Sequence, residues 1–230
     1  IVGRVYTDFP TKAEPIEYNP NLPLYVSIDN SHWWSDPHAV ILAQKSNMLI
    51  QIIDCIEVHC SVTDMANFMT GNPKSTIWQL IDTQLMFLWR YRNYNRQKAT
   101  FIDDPHDTHA TLNQSTIYEE YKKVWIYLNT PKEKSLEQRI MKTKGEIYKV
   151  RYNDYCLEFA SAMMNAKYPE RSDNSTSTAP NYKPIHDWTS HFRTAFEYLI
   201  NYLLENPTAE KWHKWALTDK PAHNSYLYRK

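Results

Sequence analysis

The chain has 230 residues, enough for one ample domain that needs no disulfide staples, and its 26 basic residues balance 26 acidic ones at zero formal charge. That balance supplies no bulk field for a polyanion, so a nucleic-acid partner has to be met by local patches. Only 3 glycines stand against 17 tyrosines and 8 tryptophans, which argues against a glycine-cradled nucleotide site, and GNPKST at 71–76 lacks the second glycine a phosphate loop needs.

Residues 1–22 are dotted with proline and read as an irregular lead-in. LYVSIDN at 24–30 is a short apolar, β-branched run. SHWWSDP then makes a turn, HAVILAQK at 38–45 reads as a second strand, and 47–60 as a third, antiparallel throughout. Ser61 caps a helix running to about Met69, and residues 75–92 carry Ile77, Leu80, Ile81, Leu85 and Leu88 at helical intervals. ATFID at 99–103 is a fourth strand ended by Pro105. A helix at 115–123, a fifth strand VWIYLN at 124–129 and a long helix over 135–166 follow. A polar loop at 171–179 then leads to a last helix at 187–204 with Trp188, Phe192, Ala195, Phe196, Leu199 and Leu203 inward. The expected domain spans 23–205, with 1–22 as linker and 206–230 as a C-terminal extension. No apolar run reaches membrane-spanning length, and a start at Ile1 reads as a domain cut from a longer protein.

Three aspartates close apolar runs: Asp29 after LPLYVSI, Asp104 or its neighbour Asp103 after KATFI, and Asp187 opening the last helix. Carboxylates gathered at strand ends repel one another unless cations occupy the gap, so the pattern predicts Mg²⁺ or Mn²⁺, two ions as needed for in-line phosphodiester hydrolysis. His191, one turn after Asp187, is placed to face the same site. Each aspartate also has a plain reading as a turn former or helix cap. Between Thr83 and Ile102 no acidic residue occurs, while Arg90, Arg92, Arg96 and Lys98 alternate with Trp89, Tyr91 and Tyr94, the mixture that neutralises phosphates and stacks on bases. Cys55, His59 and Cys60 imitate a zinc cluster but sit in or beside an apolar strand, and the three cysteines read as reduced core residues.

The order β-β-β-α-β-α-β-α resembles the ground plan of the ribonuclease H-like fold, a mixed α/β sheet of about five main strands flanked by helices. Within it, LYVSIDNSHWWSDPHAVIL, IDDPH and HDWTSHFRTAFEYL are similar to three motifs of the nuclease domain of tailed-phage large terminase subunits. The resemblance implies a metal-dependent endonuclease that cuts concatemeric viral DNA during packaging in the host cytoplasm. It also implies an N-terminal ATPase domain in the full-length protein, and the portal and small terminase subunit as partners. Carried over, Asp29 and Asp104 match the first two acidic positions. The third departs: Thr194 stands before Ala195 where many relatives carry aspartate, so either Asp187 is the ligand, the favoured reading, or the third metal contact is lost. The alternatives are a junction resolvase or transposase on the same fold, and a DNA-binding or portal-docking module with a decayed site.

Overall fold

In a computed structural model, which describes residues 3–30, 36–72, 75–79, 83–104, 115–169 and 183–207, three strands open the fold as an antiparallel meander: β1 (Leu24–Asp29), β2 (His38–Ser46) and β3 (Leu49–Val58). The β2–β3 turn places Asn47 at φ 56°, a left-handed conformation that asparagine tolerates. β4 (Ala99–Ile102) joins β1 in parallel and β5 (Leu128–Asn129) extends that edge. β6 (Val150–Tyr152) pairs in parallel with β3 at the other edge, giving the order β5-β4-β1-β2-β3-β6. The carboxyl ends of β1, β3 and β4 therefore lie along one margin of the sheet.

Strand alternation feeds two cores. Tyr25, Ala39, Ile41 and Ile102 point to one face, where α4 (Leu136–Glu146), α5 (Leu157–Asn165) and α6 (Ser190–Glu205) supply Ile140, Phe159, Phe192, Phe196 and Leu199. Leu24, Val26, Ile28 and Phe101 point to the other, against α1 (Val62–Thr70), α2 (Thr83–Asn93) and α3 (Ile117–Lys123). Ser61 caps α1 through its hydroxyl, which accepts from the Asp64 amide, and Gly71 ends the helix at φ 78°, a conformation that favours glycine. Among the described residues no helix is long and apolar enough to cross a membrane.

Four expectations change. The helix expected over 135–166 is two helices separated by β6, because Val150, Arg151 and Tyr152 pair with Ile50, Gln51 and Ile52 of β3, a non-local match that local periodicity does not reveal. The strand expected at 124–129 shrinks to Leu128–Asn129. Its first residues close α3 instead: the Trp125 and Ile126 amides bond the Lys122 and Tyr121 carbonyls, with Trp125 at φ 63°. The segment 75–92 begins as a 3₁₀ turn, Thr76–Gln79, before α2. The lead-in is irregular yet packed, for Val5, Tyr6 and Phe9 are buried in the first core and the Val5 amide bonds the Ala166 carbonyl. The 171–179 loop and most of the 206–230 extension lie outside the described residues.

Candidate active site

Ser27 pairs with Ile102 across the parallel β1–β4 ladder; two residues further on, Asp29 ends β1 and Asp104 lies just beyond the end of β4. Period-two alternation sends Ser27, Asp29 and Asp104 to the face covered by α6, and their contacts agree. The Ser27 hydroxyl donates to the Ala195 carbonyl at 2.7 Å, His191 Nδ1 lies 3.2 Å from Asp29 Oδ2, and the Tyr198 hydroxyl donates to Asp104 Oδ2 at 2.7 Å. His191, Ala195 and Tyr198 occupy positions i, i+4 and i+7, one stripe of the helix. A single helix face thus grips the ends of two adjacent strands.

Adjacent alternation also separates Asp103 from Asp104. Asp103 is buried on the opposite face, where its charge bears on Tyr121 and its backbone amide bonds the Asn129 carbonyl. Asp104 shares its face with Asp29, and its charge helps to raise the Asp29 pKa. Asp187 sits in the turn before α6, where its carboxylate accepts from the Thr189 amide at 2.9 Å and the Thr189 hydroxyl at 2.6 Å. That is a local turn at the entrance to α6. Thr194, half-buried, occupies the helix turn between His191 and Tyr198.

The electrostatics are those of a crowded, partly dry margin. Burial raises the Asp29 pKa, with the hydrogen bond and charge of His191 pulling the other way. Burial disfavours the charged His191 ring, yet the hydrogen bond and charge of Asp29, then the charges of Glu57 and Asp36, raise its pKa overall. The Tyr198 hydroxyl is pushed well up by burial and by both aspartates, so it remains a donor at neutral pH. Glu57 is a residue the sequence reading passed over. It pairs with Ala39, which pairs with Asp29, so Asp29, Ala39 and Glu57 form a lateral row on one face, with a methyl group between two carboxylates. Its place near the end of an apolar strand gives no local sign of a site; the register through Ala39 does.

Among the described residues no group of three His, Cys, Asp or Glu side chains is arranged to hold a metal ion by itself. Two carboxylates from neighbouring strands nonetheless fit Mg²⁺, which keeps several waters and is commonly held by one or two carboxylates plus substrate phosphates. Zinc finds no such match. Cys55 and Cys60 are free and buried in separate cores, consistent with small core residues.

The expected basic stretch lies on the other face of the sheet and is less available than its sequence implies. Arg90 forms a two-pronged pair with Asp54, Nε to Oδ2 at 2.6 Å and Nη2 to Oδ1 at 2.8 Å, with Tyr94 donating to the same carboxylate. Its guanidinium also lies over the Tyr155 ring. Arg96 packs against Gly71 and the Tyr91 ring. Arg92, stacked on Trp78, and Lys98 are exposed.

No family model and no curated protein matches the chain. Solved structures do. A large terminase from a thermophilic bacteriophage aligns with a TM-score of 0.60 at 16% identity, over 88% of this chain and 45% of that one. The P22 large terminase nuclease domain aligns at 0.56 and 14% identity, over 89% and 93% of the two chains. The large terminase nuclease of thermophilic phage G20c with bound magnesium aligns at 0.54 and 14%, over 88% and 97%. The chain therefore spans less than half of the first of these proteins but nearly all of the two nuclease structures. At such identities the likeness shows the fold: a six-stranded, ribonuclease H-like mixed sheet of the kind found in large terminase nuclease domains.

Proposed function

We propose that the chain is the nuclease domain of a phage large terminase and cuts concatemeric duplex DNA with divalent cations held at Asp29 and Asp104. The observation that carries this reading is that Asp29, ending β1, and Asp104, just past the end of the neighbouring parallel strand β4, are both gripped from one side by α6. Strand ends of such sheets are where ligands gather. Asp29 and Asp104 would hold Mg²⁺ or Mn²⁺, two ions in the full reaction, which when bound would supply an activated water and stabilisation of the leaving oxygen. Asp29 and Asp104 bind, and their mutual repulsion is what a cation relieves. His191 holds Asp29 from the helix side and orients the scissile phosphate or its water. Arg92 and Lys98 contribute phosphate contacts away from the centre. In the full-length protein an N-terminal ATPase drives packaging, with the portal and small terminase subunit as partners, in the host cytoplasm.

Thr194 favours a second reading, a DNA-binding or portal-docking module whose site has decayed, because a hydroxyl is a poor substitute for an anionic ligand. Cleavage of linear duplex DNA in Mn²⁺ separates the two. The nuclease reading predicts cutting by the wild type and a loss of about a thousandfold in Asp29→Asn and in Asp104→Asn, the rate equivalent of several kcal/mol of lost charge stabilisation. Both variants should retain the fold. Wild-type protein that binds DNA and leaves it intact in Mn²⁺ supports the decayed module.

A further inference from the structure

The grip of α6 on the two strand ends is uneven. His191 lies at the margin and is about one-tenth exposed, whereas Tyr198 is 1% exposed and reaches Asp104 from within the core. Arg139 lies over one face of the Tyr198 ring, the guanidinium carbon 5.0 Å from the ring centroid. Arg139 itself is buried, and the Asn201 side chain donates to its carbonyl, so the ring is wedged between α4 and α6. A phenol held that firmly fixes the direction of its O–H, and with it the plane of the carboxylate it meets at Oδ2. A free carboxylate at a strand end swings about its last torsion. Asp104 does not have that liberty.

We propose that Tyr198 is a positioning residue for metal binding: its hydroxyl, donated to Asp104 Oδ2, sets the orientation in which Asp104 takes a divalent cation alongside Asp29. This rests on the nuclease reading. Partners that orient a metal-binding carboxylate typically matter by about ten- to a hundredfold in affinity when removed. Tyr198→Phe deletes the one hydroxyl and keeps the ring that Arg139 covers, so packing changes little. Tyr198 does not touch substrate in this scheme and acts only through Asp104.

Mn²⁺ binding to the folded protein, followed by electron paramagnetic resonance of the free ion, tests the proposal without requiring turnover. The expected result is about tenfold weaker binding for Tyr198→Phe, with cooperative melting retained, and at least as large a loss for Asp104→Asn. Cleavage by Tyr198→Phe should recover at higher Mn²⁺, so that the half-maximal metal concentration shifts while the maximal rate is largely restored. A purely structural role predicts lower stability with unchanged Mn²⁺ affinity in the fraction that is folded, and that outcome overturns the proposal. If Asp104→Asn weakens Mn²⁺ binding and Tyr198→Phe does not, the site stands and the positioning role fails. If the wild type takes up no Mn²⁺, both fall together.

Discussion

Arg90 illustrates how a residue's neighbours reassign it. In the sequence it opens a basic, aromatic-laced stretch, yet its guanidinium is committed to Asp54, a fully buried carboxylate 36 positions earlier. Removing one partner of a buried pair leaves an uncompensated charge, so Arg90→Ala is expected to cost about 3–5 kcal/mol in urea unfolding. A cost below about 1 kcal/mol, the range of a surface pair, would show that Asp54 is solvated after all. The Asp29–His191 pair carries a different consequence. Both groups have raised pKa values in the fold, so each holds its proton more tightly folded than unfolded. The stability they contribute is complete below their ordinary values of 3.8 and 6.5 and is lost as pH rises through the raised ones. Metal-free protein should therefore melt a few degrees lower at about pH 8.5 than at about pH 6, and His191→Ala should flatten that slope. An unchanged slope in the variant would assign the pH dependence to other groups.

At the scale of elements, α6 is the organiser of the site, and the packed lead-in organises α6. Tyr6 donates to Glu197 at 2.8 Å, and Arg193 meets the same carboxylate oxygen at 2.7 Å, a fully buried cluster behind the helix face that carries His191 and Tyr198. Loss of a hydrogen bond to a buried carboxylate typically costs about 1–3 kcal/mol, which is the drop expected for Tyr6→Phe in thermal or urea melts. No change would mean that residues 3–9 merely rest on the surface of the helix. The meander, the Ser61 cap and most of the final helix were legible because short apolar β-branched runs, a capping hydroxyl and an apolar stripe are local signals, whereas Trp188, expected inward, is exposed in the turn before α6. β6 was not, because three residues become a strand only when β3 offers them an edge. Val124 and Trp125 were misplaced for a related reason: they look β-prone, but the open carbonyls at the end of α3 claim their amides first.

For the whole molecule, the sheet divides the chemistry. One face presents Asp29, Asp104 and Glu57 near α6, and the other presents Asp103, Asp54 and the basic stretch that begins on α2 and runs into the turn after it. Sequence spacing brought Asp29 and Asp104 under suspicion, but only alternation around a formed strand chooses Asp104 over Asp103. Asp187 reads from sequence as a ligand or a cap, and in the structure its carboxylate engages Thr189 in the turn before α6. Glu57 was hidden by its ordinary place in an apolar strand, and becomes notable only when Ala39 brings it into line with Asp29. The most direct measurement is anomalous scattering from a crystal soaked in Mn²⁺. A manganese peak bound by Asp29 and Asp104 on the α6 face is the predicted result; ordered crystals with both carboxylates bare of metal, or with manganese only elsewhere, would contradict it.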